Sequence, residues 1–480
     1  MTTDPRDGTS GPSLGVSTKL VTSALLLLLI GACAAPPDVD DLIAEAAVSK
    51  PDPTVVGARG PLSAEQSKAV IVKLEQQSKD ATVLERHLAL EAALDDAPLV
   101  TGNKVTLLRD GGATIPAMFA AMRAAKFSIH LEYFIFEDID DHGERLSDLL
   151  AQAARRGVQV DVIYDSIGSD DTSSAFFDRL KAAGVRFVDF HPATPLAIAA
   201  PTSLNDRDHR KILVVDSRVA IMGGVNMSKA YMNPPPQKLY AGAGARRETA
   251  ALYWRDTDIE IEGPAVAQLQ RLFLETWQKQ GGEALPDAGS LPQLSPAGSE
   301  VVQVLGSSPT QAVPEYYVAL LTAIRNAESR IWLTTGYFVP THAERRDLIQ
   351  AARRGVDVRL LLPGESDSDL ALEAGHASYS DLLEAGVKIY ERHGSILHSK
   401  TTVIDGVWSE VGSSNFDHRS VLFNNEVDAV ILGRQTAGQL EAMFQDDLKS
   451  AGEVTLEAWR NRPLWGRLHE FFSRLWQTLL

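Results

Sequence analysis

Apolar positions along the chain follow two spacings, those of helices and those of strands. Between Ser63 and Leu94 they recur at intervals of four, as at Val70 and Leu74, which predicts a charged helical region. From Pro98 onward, each half of the chain reads strand, helix, glycine, strand, helix, glycine, strand. This alternation predicts an α/β protein in which a mixed sheet is flanked by helices.

The two halves also repeat each other in sequence. The stretch AARRGVQVDVIYD (153–165) matches AARRGVDVRLLLP (351–363), and LKAAGVRFVDF (180–190) matches LLEAGVKIYER (382–392). A Gly-, Pro- and Ser-rich stretch at 281–300 separates them. We therefore predict two tandem α/β domains related by a pseudo-twofold axis, with equivalent positions facing each other across it.

These breaks divide the chain of 480 residues into five parts. We predict a lipoprotein-like signal at 1–33, a tether and N-terminal helical region at 34–97, a first α/β domain at 98–280, a linker at 281–300, and a second α/β domain with a C-terminal helix at 301–480. Because both repeats lie in one chain, we expect a monomer.

The first part has the features of a secretion signal. An apolar run at 20–32 follows Lys19 and leads to Cys33, the single cysteine, and it is shorter than the ~20 apolar residues of a spanning helix. Its end, Ile30-Gly31-Ala32-Cys33, resembles the lipobox of bacterial lipoproteins, so we expect lipidation of Cys33; a short membrane anchor is the alternative. We expect the protein to be located in the bacterial cell envelope. In enteric bacteria an Asp after the lipidated cysteine favours retention in the inner membrane, and here that residue is Ala34, so either membrane is compatible with the sequence.

Composition narrows the classes of partner. The net charge of −17 argues against nucleic acid, because phosphate binding usually goes with an excess of Lys and Arg. A single cysteine excludes an intrachain disulfide and a structural zinc site built on cysteines. From the negative net charge we expect no nucleic-acid partner.

The candidate chemistry lies in two stretches, HRKILVVD (209–216) and HSKTTVID (398–405), which both read His-x-Lys-x4-Asp. Their β-branched and apolar residues predict strands, and side chains two apart on a strand share a face. The pairs that share a face are His209 with Lys211 and His398 with Lys400.

Two further residue types recur at fixed spacing in both repeats. Asp216 and Asp405 lie an odd number of residues from the histidines, so we expect them to point to the opposite face and support the following turn. Asn226 and Asn415 each follow their histidine by 17 residues, and a hairpin would bring them back beside it. We expect these two asparagines to bind phosphate.

Two acids complete the set, Asp256 in WRDTDIEIEG and Glu426 in FNNEVDAVI. The whole set suits a phosphate diester: one imidazole attacks phosphorus, the other protonates the leaving alkoxide, and the lysines and asparagines stabilise the remaining oxygens. A carboxylate on the far nitrogen of each imidazole would fix its tautomer. No metal and no other cofactor is needed, because the lysines supply positive charge. Which histidine is the nucleophile stays open.

These motifs resemble those of the phospholipase D superfamily, and within it the bacterial cardiolipin synthases. The likeness runs from about Pro98 to the C-terminus and includes LEYFIF (131–136) and YFVP (337–340) besides the motifs. It implies two tandem phospholipase D-like domains. It also implies a phosphatidyltransferase at a membrane surface, which passes a phosphatidyl group through phosphohistidine to a lipid glycerol headgroup, with phosphatidylglycerol as the favoured phospholipid.

Alternatives stay open. A phospholipase D that releases phosphatidic acid would use the same site with water as the acceptor. A nuclease or other phosphodiesterase of the superfamily is a further alternative, although the small nucleases carry one motif per chain and this acidic chain carries two. A protein that only binds its ligand would be expected to have lost a residue of the motifs, and none is lost here. The loop at 233–248 either covers the site or is a surface insertion, and the helix at 463–480 either lies on a membrane or packs on its own domain.

Overall fold

The computed structural model describes residues 36–41, 43, 54–77, 97–192, 205–232, 253–285, 295–311 and 314–462. The predicted signal with Cys33, the loop at 233–248 and the helix at 463–480 lie outside these residues, as do residues 286–294 of the predicted linker. Among the described helices, none combines the length and the apolar character that crossing a bilayer requires.

The N-terminal part and the first domain contain thirteen strands among the described residues. The N-terminal elements are β1 (Val55–Gly57), β2 (Gly60–Pro61) and α1 (Ala64–Gln77). The first domain contains β3 (Leu99–Arg109), α2 (Asp110–Ala124), β4 (Ser128–Tyr133), β5 (Asp140–Asp141), β6 (Glu144–Arg145), α3 (Leu146–Arg155), β7 (Gln159–Asp165), α4 (Ser174–Ala182), β8 (Arg186–Phe190), β9 (Arg207–Asp208), β10 (Lys211–Val215), β11 (Val219–Gly223), a 3-10 helix (Lys229–Met232), β12 (Tyr253–Arg255), β13 (Thr257–Glu262) and α5 (Val266–Lys279).

The second domain repeats this order of elements. It contains β14 (Glu300–Ser307), α6 (Glu315–Asn326), β15 (Arg330–Thr334), α7 (His342–Arg353), β16 (Asp357–Pro363), α8 (Asp369–His376), α9 (Tyr379–Glu384), β17 (Lys388–Arg392), β18 (Ser395–Leu397), β19 (Thr401–Ile404), β20 (Trp408–Gly412), α10 (His418–Leu422), β21 (Asn424–Leu432), α11 (Arg434–Leu448), β22 (Ala451–Val454) and α12 (Leu456–Arg460).

The strands of both domains form one mixed sheet. In the first domain the strand order is β8-β7-β4-β10-β11-β13-β3, and in the second it is β14-β21-β20-β19-β15-β16-β17-β22. Strands β3 and β14 pair antiparallel and join the two halves. Each half thus places three parallel strands beside an antiparallel set, which confirms the predicted pair of tandem α/β domains.

Burial on both faces explains why strand β10 is apolar at every position after Lys211. Ile212 and Val214 of β10 face a core that the two domains share, which includes Leu269 of α5 and Leu440 of α11. Leu213, the residue between them, faces the core of the first domain alone. The hairpin of β10 and β11, and its counterpart in the second domain, are therefore held rigidly by packing on both sides.

Candidate active site

Short strands exchanged between the domains position the two histidines. Strand β9, just before His209, pairs in parallel with the beginning of β21, which contains Glu426. Strand β18, just before His398, pairs in parallel with β12, which ends one residue before Asp256. The backbone N–H of His209 donates to the carbonyl of Asn425 (3.0 Å), and that of His398 donates to the corresponding carbonyl in the first domain (2.8 Å). This reciprocal arrangement is what a pseudo-twofold axis produces.

Each histidine is therefore held by the acid of the other domain. The Nδ1 atom of His209 lies 3.1 and 3.0 Å from the two carboxylate oxygens of Glu426, and the Nδ1 atom of His398 lies 2.7 Å from Oδ2 of Asp256. Both acids are completely buried. The carboxylates fix the rings through Nδ1 and leave the Nε2 atoms for chemistry.

The carboxylate of Glu426 has strong support from neutral donors. Ser413 Oγ donates to it at 2.6 Å, Ser420 Oγ at 2.9 Å and Asn424 Nδ2 at 3.0 Å. Burial would raise the pKa of Glu426, but His209 and Lys211 outweigh that effect and hold the pKa below its usual value. Glu426 is thus the firmly ionised acid of the pair.

The environment of Asp256 is different. Gly224 occupies the position equivalent to the serine that supports Glu426, and a Cβ atom there would lie 2.1 Å from Oδ1 of Asp256. Besides His398, the carboxylate accepts the backbone N–H of Thr257 at 2.8 Å. Burial raises the pKa of Asp256 to about 6. Tyr231 adds a contact that the sequence did not reveal, because its hydroxyl lies 3.1 Å from Nδ1 of His398.

Both lysines are buried beside the histidines. The ammonium groups of Lys211 and Lys400 donate to the backbone carbonyls of His209 and His398, respectively. Burial lowers the pKa of Lys211 to about 7 and that of Lys400 to about 8, despite the opposing effect of nearby carboxylates.

Burial also lowers the pKa values of the histidines, to about 4 for His209 and well below the usual value for His398. The charges of Lys400, Lys211 and His209 act in the same direction on His398. The two half-sites therefore share one electrostatic environment. This environment disfavours protonation of the histidines and lysines in the absence of substrate, and a bound anion would reverse that preference.

The asparagines border the same region. Asn226 accepts the backbone N–H of Ile135 at 3.1 Å, and Asn415 lines a small cavity together with Lys400. The amide oxygen of Asn415 is buried without a hydrogen-bond partner among the described residues. Turning that amide would present its NH₂ group at the same place.

The two motif aspartates lie elsewhere. The carboxylate of Asp216 accepts the backbone N–H groups of residues 126–128, and Asp405 accepts those of residues 328–330. Each follows the far end of its strand, roughly 20 Å from the histidine at ~3.3 Å per residue. Distance along the strand, more than the predicted change of face, separates them from the site. Within the described residues, no cluster of His, Cys, Asp or Glu is arranged to hold a metal ion.

Two His-Lys-Asp motifs on one two-domain mixed sheet, with their histidines brought together, define a phospholipase D-like enzyme. The two domains match the family described as "Cardiolipin synthase, PLD-like domain" over residues 118–235 and 320–448. The chain belongs to this family and is an enzyme of its phosphatidyltransferase type. The family and the tandem fold predicted from the motifs are confirmed, whereas the roles of individual site residues stay predictions.

The chain is similar over most of its length to bacterial cardiolipin synthases. It is 35% identical over 398 residues to the cardiolipin synthase of Geobacillus kaustophilus (strain HTA426), a match that covers 82% of this chain and 76% of that protein. It is 33% identical to cardiolipin synthase A of Pseudomonas putida (strain GB-1), covering 84% and 81%. The crystal structure of phosphatidylserine synthase from Haemophilus influenzae Rd KW20 shares the fold, with a TM-score of 0.58 and 13% identity over 83% of this chain and 100% of that one.

Proposed function

We propose that the protein transfers a phosphatidyl group from one phosphatidylglycerol molecule to another and so makes cardiolipin and glycerol. The observation that carries this proposal is the pair of exchanged histidine–carboxylate contacts beside two buried lysines. Such a site suits a phosphodiester that is attacked and released in line. Membership in the cardiolipin synthase family supports the choice of a phospholipid as the substrate.

In the first step, His209 is the nucleophile. Its Nε2 atom attacks phosphorus, the bond from phosphorus to the glycerol oxygen breaks, and His398 gives the leaving alkoxide a proton. Attack leaves positive charge on the attacking ring, and the firmly ionised Glu426 stabilises that charge better than Asp256 would. This difference between the acids favours His209 over His398 as the nucleophile.

In the second step, a hydroxyl of the acceptor lipid attacks the same phosphorus. His398 takes the proton of that hydroxyl, and the bond between phosphorus and His209 breaks. Lys211 and Lys400, with the amides of Asn226 and Asn415, neutralise the non-bridging oxygens in both steps. The anionic phosphate in turn favours protonation of His398 and of the lysines, against the effect of burial.

One assay tests the reaction. Purified protein is given phosphatidylglycerol vesicles with a chelator present, and the lipids are separated by chromatography. We expect cardiolipin and an equal amount of glycerol, and we expect His398→Asn to form both ~10²–10⁴-fold more slowly. Phosphatidic acid as the sole product would show that the enzyme hydrolyses phospholipid and does not transfer the phosphatidyl group. Cleavage of DNA without lipid turnover would contradict both lipid reactions.

A substrate with a good leaving group tests the assignment of the nucleophile. The p-nitrophenyl ester of phosphatidic acid needs no proton to lose its phenolate, so His398→Asn should still release p-nitrophenol in a burst and accumulate phosphohistidine at His209. The matched variant His209→Asn should show neither signal. Phosphohistidine mapped to His398 by mass spectrometry would reverse the assignment.

We further propose that the protein is held at a membrane as a monomer, with a lipid on Cys33. The motivation is the lipobox-like sequence and the presence of both half-sites in one chain. Mass spectrometry of the mature N-terminus should find diacylglyceryl-cysteine, and light scattering should give one chain per particle. An unprocessed Met1 or a free thiol would instead favour the short anchor. Membrane fractionation decides between the inner and the outer membrane.

A further inference from the structure

A tyrosine and a carboxylate lie beside His398 that neither motif includes. The ring of Tyr337 stands perpendicular to the imidazole of His398, with 6.0 Å between the ring centres. Its hydroxyl donates to Oδ1 of Asp367 at 2.6 Å. The approach is close because Gly336 precedes the tyrosine, and a Cβ atom at Gly336 would lie 2.8 Å from Cα of His398. The backbone is thus shaped to bring Tyr337 against the catalytic half-site.

Asp367 is exposed to solvent. Its negative charge raises the pKa of both His398 and Lys400, against the larger lowering effect of burial, so Asp367 interacts electrostatically with both groups. Among the described residues, the hydroxyls of Tyr337 and of Ser366 (3.3 Å) both donate to Oδ1 of Asp367. An oriented carboxylate at the mouth of the site is therefore accessible to a ligand.

The first domain has no such group at the equivalent position. The loop after β7 carries Ser169 where the loop after β16 carries Asp367, and Ile135 stands where Tyr337 stands. The hydroxyl of Ser169 is used internally, since it donates to the carbonyl of Phe134 and accepts the N–H of Phe136, both at 3.1 Å. The carboxylate is thus a feature of the His398 half alone.

We propose that Asp367, oriented by Tyr337, forms the acceptor subsite and selects a polyol headgroup over water. This proposal rests on the proposed function. The carboxylate accepts a hydrogen bond from one hydroxyl of the acceptor glycerol, which brings the neighbouring hydroxyl to His398. That second hydroxyl attacks phosphorus, its proton passes to His398, and the bond from phosphorus to His209 breaks.

The chemistry of a carboxylate suits this role. It accepts hydrogen bonds and repels phosphate, so it favours the uncharged hydroxyl end of an anionic lipid over the phosphate. Water competes at about 55 M, but a water molecule has one oxygen atom and cannot hold the carboxylate with one hydroxyl while a second hydroxyl attacks phosphorus. A diol can, and holding the attacking group in place gives it the advantage of an intramolecular reaction.

Competition between two alcohols tests the subsite. The full-length protein is given phosphatidylglycerol in detergent micelles with deuterated glycerol and deuterated methanol together, and mass spectrometry measures labelled phosphatidylglycerol, phosphatidylmethanol and phosphatidic acid. Methanol has one hydroxyl, so it cannot use the subsite while it attacks. The ratio of glycerol product to methanol product is the readout, because it does not depend on the overall rate.

We expect Asp367→Asn to lower this ratio about tenfold or more, the effect of losing one hydrogen bond to a charged group. Tyr337→Phe should lower it less, since the carboxylate stays but is no longer oriented. The matched control is Asp369→Asn, which changes an exposed aspartate two residues away and should leave the ratio unaltered.

Two results would overturn the proposal. One is an unchanged ratio in a folded Asp367→Asn protein, and the other is an equal fall in the Asp369→Asn control. If Asp367→Asn does not fold, as judged by its thermal melt, Tyr337→Phe decides by the same ratio. Failure of the proposed function is seen separately: the wild-type protein would then form no product from either alcohol.

Discussion

Replacing Glu426 by glutamine is the sharpest test of the exchanged half-sites. Glutamine has nearly the same shape, but its amide carries no charge and presents one NH₂ group in place of an oxygen. The two carboxylate oxygens lie 3.1 and 3.0 Å from Nδ1 of His209, and three side chains donate to them from neighbouring positions. At least one of these donors would face an NH₂ group in the variant.

The expected loss follows from these contacts. A hydrogen bond to a charged group contributes about 1.5–3 kcal/mol, and removing one partner of a buried pair costs about 3–5 kcal/mol. The charge of Glu426 matters most when His209 becomes positive on attack. Since ~1.4 kcal/mol corresponds to a tenfold change in rate, Glu426→Gln should slow phosphohistidine formation by about 10²–10⁴-fold.

Single-turnover measurements check this expectation by following the phosphorylated histidine in rapidly quenched samples. The matched control is Glu441→Gln, which breaks the 2.6 Å contact of Glu441 with Arg330 at the far end of β15. It should form phosphohistidine at the normal rate. Two results would refute the role given to Glu426. One is a decrease of less than about fivefold in the rate of phosphohistidine formation in Glu426→Gln. The other is a decrease in both variants that accompanies a fall in melting temperature.

Three further outcomes are expected. His209→Asn and His398→Asn should each lower turnover by ~10²–10⁴-fold and the double variant by little more, because both act in one reaction; near-normal turnover of either single variant would contradict this. Asp216→Ala should destabilise the fold by about 2–3 kcal/mol in denaturant melts, because three backbone N–H groups lose their acceptor, while activity per folded molecule persists. As pH rises through about 7 to 8, kcat/KM should fall, because Lys211 and Lys400 lose their charge. Stability should rise from about pH 7 towards ~10.4, because over that interval the unfolded chain, whose lysine pKa values lie near ~10.4, binds more protons than the folded chain. Rates and melts measured against pH check both expectations, and a flat profile would contradict the effect of burial.

The fold was predictable from sequence where the signal is local or repeated. The alternation of elements and the matched stretches at 153–165 and 351–363 come from strands and helices that each bury a regular face. In the structure both stretches end in the middle strand of a parallel set, β7 and β16. Two copies of one pattern in one chain made the tandem arrangement clear without any long-range information.

The exchange of acids between the domains could not be predicted in this way. Strands β9, β12 and β18 contain only two or three residues, which is too few to show a hydrophobic period. They exist because the domains dock and satisfy their backbone hydrogen bonds across the interface. From sequence alone, Asp256 and Glu426 are each free to serve either histidine.

Residues that occur in one domain only were also missed. Tyr231 corresponds to Ser420, and Asp367 corresponds to Ser169, so a comparison of the two repeats finds no match at either place. The equivalent side chains do different work in the structure: Ser420 donates to Glu426, whereas Tyr231 contacts His398 itself. From sequence, such residues could be recognised only as positions at which the two repeats differ.

That asymmetry is what a transfer reaction requires of a duplicated site. A symmetric pair of histidines would attack a symmetric substrate from either side, but donor and acceptor enter this reaction in different roles. Three neutral donors stabilise the acid behind His209, whereas a glycine replaces the corresponding serine behind His398. The carboxylate of Asp367 is present on the His398 side only. On the proposals made above, one half of the duplicated structure is adapted to hold the phosphatidyl group, and the other is adapted to deliver the hydroxyl that removes it.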